Sequence, residues 1–124
     1  MKIILSFFVF SIFFLNNNNE LIVTGSWTMC KSGDTNGIEV NRNVCSKIDI
    51  KSYGKGNIND NYLNFEWKIK DKTILFSFDT EEEKSFFGNT TQFKFENYHD
   101  EKFLFLKLID ESGNWYLLVK SNEY

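Results

Sequence analysis

The segment Leu63–Lys70 alternates strictly between apolar side chains and charged or polar ones, as LNFEWKIK. A period of two places one set of side chains on each face of an extended chain, which is typical of a half-buried β-strand. Residues 73–79 alternate in the same way after a connection of only Asp71 and Lys72. Two such segments with so short a connection predict a β-hairpin, and consecutive hairpins build an antiparallel sheet.

Alternation of this kind recurs along most of the chain. We predict further strands at residues 21–31, 44–51, 91–98, 103–109 and 115–120. Two glycines in the stretch 53–57 predict a bulge or turn, so there are seven strands, or eight if this stretch divides one long strand. Because closure removes exposed strand edges, and the chain has no Pro to block them, we predict an all-β fold, an antiparallel up-and-down β-barrel.

Two parts of this pattern have a more specific meaning. Residues 103–109 are apolar on both faces apart from Lys107, and such a strand is expected to be central or covered on both sides. Residues 34–43 follow the first strand and are rich in Gly, Asp and Asn. That composition predicts an exposed loop.

The first residues differ in composition from the rest of the chain. One lysine precedes the apolar run 3–15, and a polar run ending at Glu20 follows it. This is the pattern of a secretory signal peptide, and the run is shorter than the ~20 apolar residues that span a bilayer. We predict a signal peptide at residues 1–19 and a barrel domain at residues 20–124. No small-x-small cleavage pattern precedes Glu20, so cleavage in the Asn run and retention as an anchor both stay open.

Export gives the two cysteines a meaning. Cys30 and Cys45 are the only cysteines, and in an oxidising compartment an even number predicts one disulfide, with two free buried thiols as the alternative. We therefore place the protein outside the cell, in the periplasm or in the cell envelope. In its mature form we expect a monomer with no stable membrane span.

Charge and motifs argue against several functions. With 14 basic and 17 acidic residues the net charge is -3, so counterion release gives no gain on nucleic acid. His99 is the only histidine, which prevents a His-based catalytic triad or a multi-His metal site within one chain. No Gly-x-Ser-x-Gly motif or phosphate-binding glycine loop occurs. We expect no enzyme activity, no cofactor and no metal.

Gly25-Ser26-Trp27 has the Gly-x-Trp form of the lipocalin first-strand motif. Together with the glycines at 54 and 56 and the hairpin that follows, the layout over residues 21–120 resembles the small lipocalin-like domains of exported bacterial proteins. The resemblance implies an up-and-down barrel whose open end takes a small apolar molecule. It also implies a structural role for Gly25 and Trp27, with Trp27 packing across the closed end.

The predicted inner faces carry mostly large side chains, which leaves two functions open. A pocket for a small hydrophobic ligand is expected at the end away from Trp27. Its candidate lining residues are Phe65, Trp67, Phe76, Phe78, Phe93 and Phe95. If the same side chains fill the interior instead, the barrel is a closed-core module for protein interaction or for cell-envelope structure. Phe86 and Phe87, in the connection 80–90, either tuck back as a lid or mark a partner surface.

Overall fold

The structure is a computed structural model that describes residues 21–60, 62–80, 83, 85–87 and 90–121. Eight strands form a closed barrel in chain order, each antiparallel to the next, with β8 paired to β1. They are β1 Gly25–Gly33, β2 Glu39–Lys51, β3 Lys55–Ile58, β4 Leu63–Lys70, β5 Thr73–Phe78, β6 Gln92–His99, β7 Phe103–Ile109 and β8 Trp115–Ser121. The predicted antiparallel up-and-down barrel is confirmed, with eight strands. The predicted signal peptide, 1–19, lies outside the described residues.

The β4–β5 hairpin shows how the alternating sequence builds the wall of the barrel. Lys70 pairs with Thr73 across the two-residue turn, and this register places Trp67 beside Phe76. Asp71 has the positive φ, 58°, that such a tight turn requires. The apolar members of β4 therefore enter the interior, and its charged members face solvent.

The glycine-rich stretch divides what would be one long strand into β2 and β3. Tyr53 (φ 68°) and Gly54 (φ 73°) both adopt left-handed backbone conformations in the 3-10 turn Ser52–Gly54. The chain therefore reverses here rather than continuing as a bulge. At Gly56 an added Cβ would collide with the Phe65 ring, so the absence of a side chain lets that ring lie against the β3 backbone.

Two predicted boundaries were wrong. The first strand begins at Gly25 rather than residue 21, because residues 21–23 form a helical turn before the left-handed backbone of Gly25 (φ 141°). The second half of the predicted loop 34–43 is strand, because residues from Glu39 onward pair with β1 beyond a bulge between Met29 and Lys31. Asp34 makes the remaining turn tight by accepting backbone hydrogen bonds from Asn36 and Ile38.

The barrel interior is filled by one hydrophobic cluster. All but two of its buried members lie on strands, the exceptions being Val23 in the helical turn and Phe87 in the connection between β5 and β6. The cluster comprises Val23, Trp27, Met29, Ile48, Ile50, Ile58, Phe65, Trp67, Ile74, Phe76, Phe87, Phe93, Phe95, Leu106, Leu108 and Leu118. Within the described ranges, no helix has the length and apolar character needed to cross a membrane.

Candidate functional site

At one end of the barrel, near the start of β1, Trp27 is buried. Its ring is only 2% exposed, and its Nε1 donates a hydrogen bond to the Val23 carbonyl at 2.8 Å. The Lys120 Nζ lies 4.5 Å from the centroid of the same ring and donates to the Thr24 carbonyl at 3.0 Å. Burial lowers the pKa of Lys120. A side chain at Gly25 would displace the lysine, since an added Cβ would lie 2.7 Å from Nζ, so Gly25 leaves room for Lys120 beside the Trp27 ring.

The opposite end is closed by a side chain from a connection rather than from a strand. Phe87 is fully buried, and its ring stacks on Phe76 at 5.4 Å and meets Phe93 at 5.2 Å edge to face. Tyr116 approaches it at 5.2 Å from β8. Phe86 packs against Phe87 at 4.8 Å. The two phenylalanines predicted as a lid therefore turn inward, and Phe87 occupies the centre of the aromatic cluster.

The six residues predicted to line a pocket lie in or against the hydrophobic cluster of the interior, and four of them are in mutual ring contact. Phe76 contacts three of the others, with ring centroids 5.1 Å from Phe65, 6.4 Å from Phe78 and 5.9 Å from Phe93. Trp67 is held separately, because its Nε1 donates to the carbonyls of Lys51 and Lys55 beside the 3-10 turn. Phe95 is buried on β6. All except the half-buried Phe78 belong to the buried core.

Four clefts formed by described residues, of about 230 to 850 Å³, are wide open to solvent. The cleft of about 850 Å³ lies beside the β4–β5 turn and the middle of β6, and its lining includes Ile22, Phe95 and several charged side chains. Phe65 borders a polar cleft of about 230 Å³ beside β3 and β4. Trp67 lines none of these four clefts, and Phe65 is the only ring of the cluster around Phe76 that lines one of them. The aromatic cluster is a packed core in this structure.

The outer wall of β6, β7 and β8 carries many apolar side chains. On β7 the leucines at 104, 106 and 108 enter the core, and the alternate side chains face outward. The outward side chains at positions 115, 117 and 119 of β8 are also apolar, and β6 adds a tyrosine. We call this set the outer apolar face. It consists of Tyr98, Phe103, Phe105, Ile109, Trp115, Leu117 and Val119.

Ring contacts join three aromatic side chains of the outer apolar face. Tyr98 stacks on Phe105 with centroids 4.9 Å apart, and Phe103 lies 6.3 Å from Phe105. Tyr98 is 48% exposed and Phe103 41%. At the other end of the face, the Lys107 Nζ lies 5.2 Å from the Trp115 ring centroid. These side chains cover one another only in part, so the face presents aromatic surface to solvent.

The predicted disulfide between Cys30 and Cys45 is confirmed, with the two Cα atoms 4.5 Å apart. It lies beside the β1 bulge, where the pairing register of β1 with β2 and β8 shifts. Cys30 also borders an open cleft of about 320 Å³ whose walls include Phe103 and Val119. The crosslink therefore stabilises the wall immediately next to the outer apolar face.

The outer apolar face was not predicted as a site from the sequence, although the apolar character of both faces of β7 was recognised. The two-sided apolar character of β7 predicted a strand covered on both sides, whereas Phe103 is 41% exposed. His99 is exposed at the end of β6, and no group of three or more His, Cys, Asp or Glu suited to a metal ion occurs in the part of the chain that the structure describes. Comparison with known protein families, curated proteins and solved structures finds no match.

Proposed function

We propose that the chain is an exported, non-catalytic β-barrel with a closed core, which acts as a protein-interaction module through its outer apolar face. The observation that carries this proposal is the outward apolar surface of β7 and β8, two strands whose inner faces already lie in the core. Antiparallel sheets with one buried face normally expose a polar one. Contiguous apolar surface on a folded domain marks a contact site.

Export is supported by two independent features. Residues 1–19 have the pattern of a signal peptide, and the Cys30–Cys45 disulfide is the kind of bond that persists in oxidising compartments. An interaction module needs a rigid wall to hold its apolar side chains in place for a partner. The disulfide and the filled interior both supply that rigidity.

A second function, binding of a small apolar molecule, is favoured by one observation. The middle of the aromatic cluster is occupied by Phe87, which belongs to a connection and not to the barrel wall. An apolar ring that replaced the Phe87 side chain would meet Phe76, Phe93 and Tyr116. This is the ligand class that the resemblance to lipocalin-like domains implies. The ligand must compete with a side chain that already fills the site.

A photo-crosslinking amino acid placed at position 105 tests the interaction module in the cells that produce the protein. We expect discrete crosslinked adducts from position 105, since Phe105 lies in the middle of the outer apolar face. The matched control is position 75, because Leu75 is also half-buried on the outer wall, on β5. Absence of adducts at position 105, or equal yields at both positions, would contradict the proposal.

A further inference from the structure

We infer that the partner of the outer apolar face is a short acidic protein segment that also carries apolar side chains, and this inference rests on the proposed function above. The segment lies across the strands, over β6, β7, β8 and β1. The whole chain has a net charge of -3, but the wall formed by these four strands is positive.

Lysines are interleaved with the apolar side chains of the outer apolar face. The strand pairing aligns three rows across β6, β7, β8 and β1. These rows are Tyr98, Phe105, Val119 and Thr28, then Glu96, Lys107, Leu117 and Lys31, and then Lys94, Ile109, Trp115 and Gly33. Three ammonium groups therefore stand among the apolar side chains of these rows, against one carboxylate.

The lysines of this wall have no acidic partner among the described residues, whereas lysines on another part of the barrel do. The ion pairs between described residues join Lys47 to Asp49 and Asp60, and Lys55 to Glu66. Lys107 lies directly across from Glu96, yet its Nζ lies 5.2 Å from the Trp115 ring centroid. The positive charge of the outer apolar face is therefore available to a partner.

A partner that matches this wall must supply carboxylates and apolar side chains together. Lys31 and Lys94 are exposed and can extend towards a partner, while Lys107 is half-buried between apolar neighbours. Charge complementarity steers the encounter and selects the partner, and the exposed ring of Tyr98 offers apolar contact. An acidic segment with apolar side chains satisfies both requirements.

Acidic residues in the turns at both ends of β7 limit what can lie on the face. The turn before β7 contains Asp100, Glu101 and Lys102, and the turn after it contains Asp110 and Glu111. Hydrogen bonds from the Phe103 and Lys102 backbones lower the pKa of Asp100, so this carboxylate is ionised at neutral pH. A flat anionic surface would touch the barrel along a line from end to end and meet these carboxylates. A short segment that crosses the strands avoids them.

The positions of the lysines set the size of the segment. With strands about 4.8 Å apart and about 6.7 Å between successive residues of one face, Lys94 lies about 8 Å from Lys107. Lys31 lies about 10 Å beyond Lys107, and the three positions span roughly 16 Å, the length of about five extended residues. Glu96 is the carboxylate within this span, so it opposes binding of an acidic segment.

The photo-crosslinking amino acid at position 105 tests the inference on the partner itself. We expect the adduct yield to fall about threefold in Lys94→Glu and in Lys31→Glu, and to rise in Glu96→Lys. Lys55→Glu and Glu66→Lys are the matched controls and should leave the yield unchanged, because β3 and β4 lie opposite β7 and β8 in the closed barrel. Mass spectrometry should locate the crosslink in a stretch of the partner that contains both acidic and apolar residues.

Isothermal titration calorimetry of the purified chain, with its disulfide intact, is the second test. The probe is a synthetic peptide of about twelve residues that repeats Glu-Glu-Leu-Phe, and the control peptide repeats Lys-Lys-Leu-Phe. We expect a dissociation constant on the order of 10–100 µM for the acidic peptide and no measurable binding of the basic one. Lys94→Glu should weaken binding of the acidic peptide about threefold, and Lys55→Glu should leave it unchanged.

A crosslinked stretch without acidic residues would overturn the inference, as would an adduct yield that Lys94→Glu, Lys31→Glu and Glu96→Lys all leave unchanged. In both cases the adducts themselves would still support the interaction module. Absence of any adduct overturns both proposals. The substituted side chains are exposed, so these variants should fold, and circular dichroism verifies this.

Equal binding of the two peptides, or binding of neither, would also contradict an acidic partner. Vesicles of phosphatidylcholine and phosphatidylglycerol in equal parts test the flat anionic surface. We expect no co-sedimentation of the purified chain with these vesicles. Co-sedimentation that Lys94→Glu abolishes would assign the face to an anionic membrane and overturn the inference.

Discussion

Phe87→Ala is expected to lower the free energy of unfolding by about 3–5 kcal/mol, the range for a fully buried phenylalanine whose removal leaves a cavity. Phe87 has no exposed surface, and its ring lies among those of Phe76, Phe93 and Tyr116. These neighbours are fixed to strands of the closed barrel, so they can move only slightly into the space. Urea unfolding of the disulfide-bonded chain, followed by tryptophan fluorescence, measures the loss.

Phe103→Ala is the matched control for this substitution. It removes the same number of atoms from a side chain that is 41% exposed on the outer wall, and we expect a loss below about 1 kcal/mol. Both variants and the wild type are measured at one low chain concentration, since association would add to apparent stability. Equal losses from the two substitutions would show that Phe87 is not the side chain that fills the barrel end.

Removal of the disulfide is expected to have the second largest effect. For cysteines 15 positions apart, the chain-entropy argument gives about 3 kcal/mol of stabilisation, because the bond restricts the unfolded chain. The bond also joins β1 and β2 where their register shifts at the bulge. The double variant Cys30→Ser/Cys45→Ser should therefore unfold at a markedly lower urea concentration than the wild type.

Wild-type protein unfolded in the presence of a thiol reductant is the control for this prediction. It should match the double serine variant, because both lack the crosslink and keep every other contact. A loss below about 1 kcal/mol in both samples would contradict the expectation from chain entropy. A loss in the serine variant alone would point to the substitution itself, at the half-buried Cys30, rather than to the bond.

The wall of the barrel was largely predictable because its signal is local. The period of two in β4 and β5, with two residues between them, fixed the strands, the turn and the face that each side chain takes. The start of β2 was not predictable in this way. Residues from Glu39 onward have the composition of a loop, and they are strand only because β1 pairs with them beyond the bulge. Long-range pairing decided that boundary over local preference.

The candidate sites were also predictable only where the signal is local. Alternation placed Phe65, Phe76 and Phe93 inside the barrel, but it gave no information on what fills the space between them. That depended on where the connection after β5 brings Phe87. The outer apolar face required the register of β6, β7, β8 and β1, which joins side chains far apart in sequence.

We infer that the interior of the barrel is closed and that its outer wall makes the apolar contacts. Titration with the fluorophore 8-anilinonaphthalene-1-sulfonate tests it most directly, in wild type, Phe105→Gln and Phe78→Leu. Phe105 lies in the outer apolar face, and Phe78 lies at the half-buried margin of the inner cluster. We predict a fluorescence increase that Phe105→Gln removes and Phe78→Leu leaves unchanged. Saturable binding that survives Phe105→Gln and is lost in Phe78→Leu would place the apolar site inside the barrel and contradict the account.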